Sequence, residues 1–406
     1  MRKLILLGTV LSFGVVSAAP WLKGVTDKDP LSYRVGEEIV FTVTLEGASA
    51  FPEGTEAKWK RTGDDGVEEC GTWSGCSPLV VKTRLSRPGF VRLQVDNKPL
   101  FFDGGAAADI AALVQTKPEP KDFDAFWKKT VEDVSKLPYE EQIEEIASPT
   151  PGAKLYRVKL NCPGGNGFTT GYLSVPEKPG KYMGVASFMG YGASWGKGAY
   201  MPPTSVPTTA IRFFVSAHGF ELGRESAYYA EAKKAAGSNG YGHGFDPVQN
   251  AKPETCYFHG MALRVIRAVE YLKRRPEWNG KDLVVVGGSQ GSLQAMWCAA
   301  FVPGVSEAKL SIPWLCDVGG PTAGRNHGAW FPAWAPGLDY FDQVNVAKRV
   351  PAACRVVIDR IGLGDYTAPP CGATIMYAAL KCVKSATWVQ GSTHGYVPPD
   401  PQKFSR

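Results

Sequence analysis

The sequence is poor in histidine, with 5 in 406 residues, and it contains no Cys-x-x-Cys, His-Glu-x-x-His or other metal-ligand spacing. No metal is therefore expected. No block of lysine and arginine occurs, and the formal net charge is only +6, which argues against a nucleic-acid partner. The apolar stretch at residues 4–16 is too short to span a bilayer, so no membrane partner is expected. Internal repeats and low-complexity runs are absent too, and the composition is that of an ordinary globular protein.

What is present begins with an export signal at residues 1–19. Arg2 and Lys3 supply the positive end, and Val16-Ser17-Ala18-Ala19 offers small residues for cleavage near Ala18 or Ala19. The expected location is periplasmic or extracellular, with a charge of +4 left after removal. Nine cysteines are an odd number for an exported chain, so at least one is expected to be free. Cys70 and Cys76, flanking a Gly-Thr-Trp-Ser-Gly turn, are the best disulfide candidates. Cys256 and Cys298 lie in predicted helices and read as buried thiols.

Residues 20–115 read as a small all-β sandwich of immunoglobulin-like shape. Strand-like runs at 40–45, 57–61, 79–85 and 90–95 are separated by Gly63-Asp64-Asp65-Gly66 and Arg87-Pro88-Gly89. A packing or spacing role is the default for this unit, with carbohydrate binding the minority reading. A connector rich in proline and charge, Thr116-Lys117-Pro118-Glu119-Pro120-Lys121, opens the second domain, 116–406. There, strand candidates at 154–160, 171–175, 185–189, 211–216, 283–286, 310–313 and 355–361 alternate with helical patterns at 123–134, 255–274, 290–300 and 374–384. That alternation predicts an α/β fold, a mostly parallel sheet with helices on both faces.

Residues 281–295 organise this domain. A short apolar run is followed by Gly287-Gly288-Ser289-Gln290-Gly291 and then by good helix formers. Strand, tight glycine turn and helix make the Gly-x-Ser-x-Gly motif a nucleophile elbow of the α/β-hydrolase kind, with Ser289 exposed on the turn. A serine hydroxyl needs a base, and the base needs a group to hold its tautomer. In α/β-hydrolases the order is serine, acid, histidine. Only His327 and His394 follow Ser289, and His327 comes before the last strand, so His394 is the base. Asp365, at the end of the strand read at 355–361, is the acid, with Asp359 as runner-up. The oxyanion would meet the backbone N–H of Gln290 and, from the Gly190-Tyr191-Gly192 loop, that of Tyr191.

With these residues in place, the chain resembles the acetyl xylan esterase/cephalosporin-C deacetylase group, carbohydrate esterase family seven, in a secreted two-domain branch. The resemblance rests on Asp122-Phe123-Asp124-Ala125-Phe126-Trp127, Gly190-Tyr191-Gly192, the serine motif, Leu315-Cys316-Asp317, Gly362-Leu363-Gly364-Asp365 with Pro369-Pro370, and His394. It implies an α/β-hydrolase without metal or organic cofactor that removes acetyl groups from sugar hydroxyls, with Ser289, Asp365 and His394 as triad and the Tyr191 and Gln290 amides as oxyanion hole. Two positions depart from the family: its Arg-Gly-Gln is His218-Gly219-Phe220 here, and the glutamate after its histidine is Gly395. The family's ring-shaped hexamer is set against an extra N-terminal domain that stands in its way, which leaves homo-oligomerisation open. His218, together with Trp330 and Trp334 from the aromatic segment 317–340, are candidate substrate contacts. The alternatives are a serine peptidase of prolyl-oligopeptidase type, for which the N-terminal unit is too short to form a propeller, and a catalytically dead carbohydrate-binding hydrolase.

Overall fold

The computed structural model describes residues 19–164, 166–191 and 200–406. The expected signal sequence up to Ala18, and Gly192 of the glycine loop, lie outside the described residues. Seven N-terminal strands form two small antiparallel sheets. One has the order β1 (Trp21–Thr26), β2 (Ile39–Glu46), β5 (Leu79–Thr83); the other runs β4 (Glu69–Trp73), β3 (Ala57–Gly63), β6 (Gly89–Asn97), β7 (Leu100–Ala108). Period-two burial explains the packing. In β2, Ile39, Phe41 and Val43 are buried while Val40, Thr42 and Thr44 are half-buried. The buried set joins Leu22, Val81, Leu93, Val95 and Phe102 in one core. Strands β1, β4 and β7 add to the four strand-like runs of the sequence.

Ten further strands make one large sheet. Its order is β17 (Lys403–Ser405), β16 (Lys384–Val389), β15 (Arg355–Gly362), β14 (Glu307–Ser311), β13 (Trp278–Gly288), β11 (Tyr182–Phe188), β12 (Ala210–Ser216), β10 (Phe168–Pro176), β9 (Ala153–Asn161), β8 (Glu141–Ile146). The strands from β12 to β16 pair in parallel, with antiparallel strands at both edges. The expected mostly parallel sheet is therefore present.

Helices cover both faces. Phe213 belongs to the cluster that includes the apolar residues of α3 (Tyr257–Lys273), whereas Phe214 belongs to the one that includes Tyr229 of α2 (Ser226–Ala236); consecutive strand residues point to opposite faces. α1 (Phe123–Lys136) packs on α3, and α4 (Gln290–Phe301) lies against β11, β13 and β14. The helix expected at 374–384 is corrected: α6 spans Pro370–Ala379, and Lys384 already opens β16. Pro370 fits the first helical turn, where no N–H bond is required.

The chain leaves β11 for β12 on one side and returns to β13 on the other. The loops after β11 and β13 therefore face each other at the carboxyl ends of their strands, where the strand order reverses. No helix among the described residues is long and apolar enough to cross a membrane.

The Cys70–Cys76 disulfide expected from sequence is also corrected: all nine cysteines are free thiols. Cys70 stands in the ladder opposite Lys60, while the Cys76 thiol is turned to the Ser74 carbonyl within its own turn. Trp73, not a disulfide, holds that turn, donating from Nε1 to the Ser77 carbonyl at 2.6 Å and meeting the Phe51 ring edge-on.

Candidate active site

Ser289 sits between β13 and α4 with φ 56° and ψ −125°, a conformation that L-residues rarely adopt and that persists only when its surroundings impose it. The glycines impose it here. A Cβ on Gly287 would lie 2.0 Å from the Gly291 carbonyl oxygen, and one on Gly291 would lie 2.5 Å from that of Phe188. Strand and helix thus approach to a distance that only glycine permits. The Ser289 N–H is anchored on the Ser311 carbonyl at 3.0 Å, and the Ser292 hydroxyl donates to the Ser289 carbonyl at 2.6 Å.

His394 and Asp365 come from the loops after β16 and β15. His394 Nε2 lies 2.9 Å from Ser289 Oγ, and its Nδ1 lies 2.9 Å from Asp365 Oδ2. Asp365 is buried, and its other oxygen accepts the N–H groups of Thr367 at 3.0 Å and Ala368 at 2.9 Å. That carboxylate is fixed in direction, so Nδ1 carries the proton and Nε2 is left to accept one from the serine. The two loops are tied together: Leu363 N–H donates to Val389 and Gly364 N–H to Ser392, both at 3.0 Å. His327 and Asp359 take no part in this chain; His327 Nδ1 meets the carbonyl of Gly328.

Gln290 is the first residue of α4, and its N–H has no acceptor inside the helix. Gly190 lies beside the serine, since a Cβ built on it would sit 3.7 Å from Ser289 Cβ. Tyr191 follows at the same edge. Its ring lies edge-on to Trp330 at 5.2 Å and to Phe245 at 5.8 Å, and it stacks on His243 at 4.0 Å. Sequence reasoning missed His243 and Phe245. The available signal was Gly240-Tyr241-Gly242-His243-Gly244-Phe245, aromatics interleaved with glycines: a Cβ on Gly242 would strike the Tyr191 hydroxyl at 2.4 Å.

The remaining expected contacts divide. Trp330 is 55% exposed and stands beside Tyr191. Trp334 is engaged elsewhere, donating to Asp339 Oδ1 at 2.9 Å beneath the Lys117 ammonium. His218 is buried behind His243 and meets the Tyr257 hydroxyl at 2.9 Å. Burial pushes its pKa well below the ordinary value, so it is a neutral packing group behind His243, with an edge on a cavity that Ser289 does not line. A cavity of about 710 Å³ does open beyond His218, toward Tyr257 and Arg264, but Ser289, Tyr191 and His394 do not line it. Asp317, part of the sequence resemblance, accepts from Thr116 N–H at 2.7 Å and pairs with Arg325, stapling the connector to the loop after β14. No cluster of three or more histidines, cysteines or acidic residues able to hold a metal occurs among the described residues.

The pattern of the acetyl xylan esterase (AXE1) family matches residues 108–320, just over half of the chain. That stretch holds Tyr191, Ser289 and Gln290 and stops short of Asp365 and His394. Acetyl esterase Axe7A of Xylanibacter ruminicola is 28% identical over 316 residues, 74% of this chain and 70% of that protein. Among solved structures, the acetyl xylan esterase from Paenibacillus sp. R4 superposes with a TM-score of 0.57 at 20% identity, over 71% of this chain and 94% of its own. Acetyl xylan esterase 1 from Thermoanaerobacterium sp. JW/SL YS485 gives 0.56 at 19%, over 71% and 93%. At such identities the solved structures speak for the α/β-hydrolase fold alone. The extent of the family match carries the rest: the chain belongs to the acetyl xylan esterase family and is a carboxylic-ester hydrolase of the carbohydrate-esterase kind.

Proposed function

We propose that the protein is an exported serine esterase that removes acetyl groups from xylan or xylo-oligosaccharides through an acyl-enzyme. One observation carries the reading: Ser289 Oγ, the His394 ring and the Asp365 carboxylate lie in a single chain of 2.9 Å contacts. His394 Nε2 takes the proton of Ser289 as Oγ bonds to the acetyl carbonyl carbon. The carbonyl oxygen, now negative, accepts from the N–H groups of Tyr191 and Gln290. Collapse breaks the bond to the sugar oxygen, which leaves with the proton held by His394. Water, deprotonated by the same nitrogen, then releases acetate and restores Ser289. Asp365 keeps its contact with Nδ1 throughout and stabilises the imidazolium.

Trp330 would offer a face to the sugar ring beside the oxyanion site. The same reading divides the chain into 20–115 and 116–406, with residues 1–19 removed on export; β7 ends at Ala108 and α1 begins at Phe123, on either side of that boundary.

The test is acetate release from acetylated xylan and xylo-oligosaccharides, beside p-nitrophenyl acetate and a Pro-linked peptide, with Ser289→Ala in parallel. The variant should lose on the order of 10⁶ in kcat. Peptide cleavage without sugar deacetylation would overturn the substrate class, and equal silence from both proteins would indicate a binding role.

A further inference from the structure

Strand β7 of the N-terminal sheets runs directly behind the loops that carry Asp365 and His394. Gln390, four residues before His394, is 2% exposed although it is polar. Its amide makes a two-way bond with one residue of β7: Nε2 donates to the Gly105 carbonyl and Oε1 accepts the Gly105 N–H, both at 2.9 Å. Oε1 also accepts the N–H of Gly391 at 3.2 Å. A buried amide satisfied in this way has one orientation available.

The acid loop meets the same strand through glycines on both sides. A Cβ on Gly364 would lie 1.9 Å from the Asp103 carbonyl oxygen, and one on Gly105 would lie 2.9 Å from that of Leu363. On Gly104 it would lie 2.3 Å from Gln390 Oε1. The run Gly104-Gly105 thus lets two backbones touch beside Asp365. The next residue along, Tyr366, is covered by the Arg92 guanidinium at 4.2 Å. Asp103 holds that guanidinium flat with a forked pair, Nε to Oδ1 at 2.8 Å and Nη2 to Oδ2 at 2.5 Å. Beyond His394, the Tyr396 ring packs on Phe101 of β7 at 4.8 Å.

We propose that β7 is part of the positioning apparatus of the active site: Gly105, through Gln390 and Gly364, sets the relative placement of the loops that hold His394 and Asp365, and Gln390 and Arg92 are positioning residues. The inference rests on the proposed roles of Ser289, Asp365 and His394. It gives the N-terminal unit a catalytic consequence without any contact to substrate. Displacements near 1 Å at a hydrogen-bonded triad weigh on turnover more than on binding.

The experiment uses the full chain with p-nitrophenyl acetate, a substrate too small to reach a distant subsite. Gln390→Met keeps the side-chain length and removes both bonds to Gly105 together with the one from Gly391. Arg92→Lys keeps the charge beside Asp103 and removes the flat contact with Tyr366, a milder change should the first variant fold poorly. Arg87→Ala cuts a different contact of the same interface, the 3.0 Å bond to the Ala323 carbonyl. Asp365→Asn runs alongside.

Gln390→Met is expected to lower kcat by about 10²-fold with KM within about twofold, and Arg92→Lys by about tenfold. In both, the far-downfield proton resonance of His394 Nδ1–H should shift or broaden, while Arg87→Ala keeps kcat and resonance even if its melting point falls. Folded Gln390→Met and Arg92→Lys with unaltered kcat and resonance would reduce β7 to an interface strand and overturn the inference, provided Asp365→Asn is inactive. If Asp365→Asn itself retained full turnover, the assigned acid would be wrong, and the inference would fall with it.

Discussion

Tyr191 and His243 lie face to face, with ring centroids 4.0 Å apart and planes within 10°. His243 is 6% exposed, and desolvation lowers its pKa from 6.5 to about 4. The imidazole is therefore neutral in the fold at neutral pH. Between pH 6.5 and 4 the unfolded chain binds a proton there that the folded chain refuses, so this group's contribution to stability falls as pH falls through that window. At pH 5 the cost approaches about 2 kcal/mol. His243→Phe keeps a ring under Tyr191 and removes the titration. The difference in melting temperature between pH 7 and pH 5 should be smaller in the variant than in the parent; an equal difference would assign the acid sensitivity elsewhere.

The elbow makes a sharper claim about shape. A methyl at Gly291 meets the Phe188 carbonyl oxygen at 2.5 Å, and one at Gly287 meets that of Gly291 at 2.0 Å. Both obstacles are backbone and cannot swing aside. Gly291→Ala is expected to cost about 2 kcal/mol or more by denaturant titration and to abolish esterase activity. Gly395, next to His394, has nothing within 4 Å of a built Cβ; Gly395→Ala should stay within about 0.5 kcal/mol of the parent. A loss of stability at Gly395 matching that at Gly291 would sink the packing argument.

The thiols offer a count. Cys70 and Cys76 are exposed and the other seven are buried; burial pushes Cys162 and Cys354 up to about 12, and Cys298, Cys316 and Cys371 well above the ordinary thiol range. Thiolate is the reactive form. A thiol reagent at pH 8 should titrate two groups quickly in the native protein and nine in denaturant. Seven in denaturant would mean that Cys70 and Cys76 are paired after all.

The residues of the candidate site were legible because they are written in local order. Gly287-Gly288-Ser289-Gln290-Gly291 carries its own strand and helix, and chain order narrows the histidine to His394. What stayed hidden lacks a local period. Glu141–Ile146 pairs with β9 through its backbone while most of its side chains face solvent, so no apolar alternation marks it as a strand. Leu100–Ala108 ends in Gly-Gly-Ala-Ala-Ala, which reads as a weak strand from propensity. Its small residues follow from the close approach of Asp103 and Gly105 to Leu363 and Gly364, a contact between residues far apart in the chain. Gln390 gave no signal for the same reason. The disulfide expected at Cys70 and Cys76 came from spacing alone, and spacing does not report which way the side chains turn.

Trp330 and Trp334 are four residues apart in one aromatic loop, and the structure gives them different work. The Trp330 carbonyl accepts the Trp314 indole N–H at 2.8 Å, so the loop stays anchored by its backbone when the Trp330 side chain is removed. The ring itself is free on the solvent side, beside Tyr191 and Phe245. Trp334 is bound to Asp339 and covered by Lys117, a residue of the connector. Trp330→Ala is therefore expected to raise KM for acetylated xylo-oligosaccharides by about tenfold through loss of one stacking contact, and to leave p-nitrophenyl acetate within about twofold. Trp334→Phe should lower stability by about 1 kcal/mol through its lost hydrogen bond and weakened cation contact, with KM unaltered. Steady-state kinetics on both substrates, with melting curves for each variant, separates the two roles. Should Trp334→Phe raise the oligosaccharide KM while Trp330→Ala does not, the sugar would lie against the connector rather than beside Tyr191.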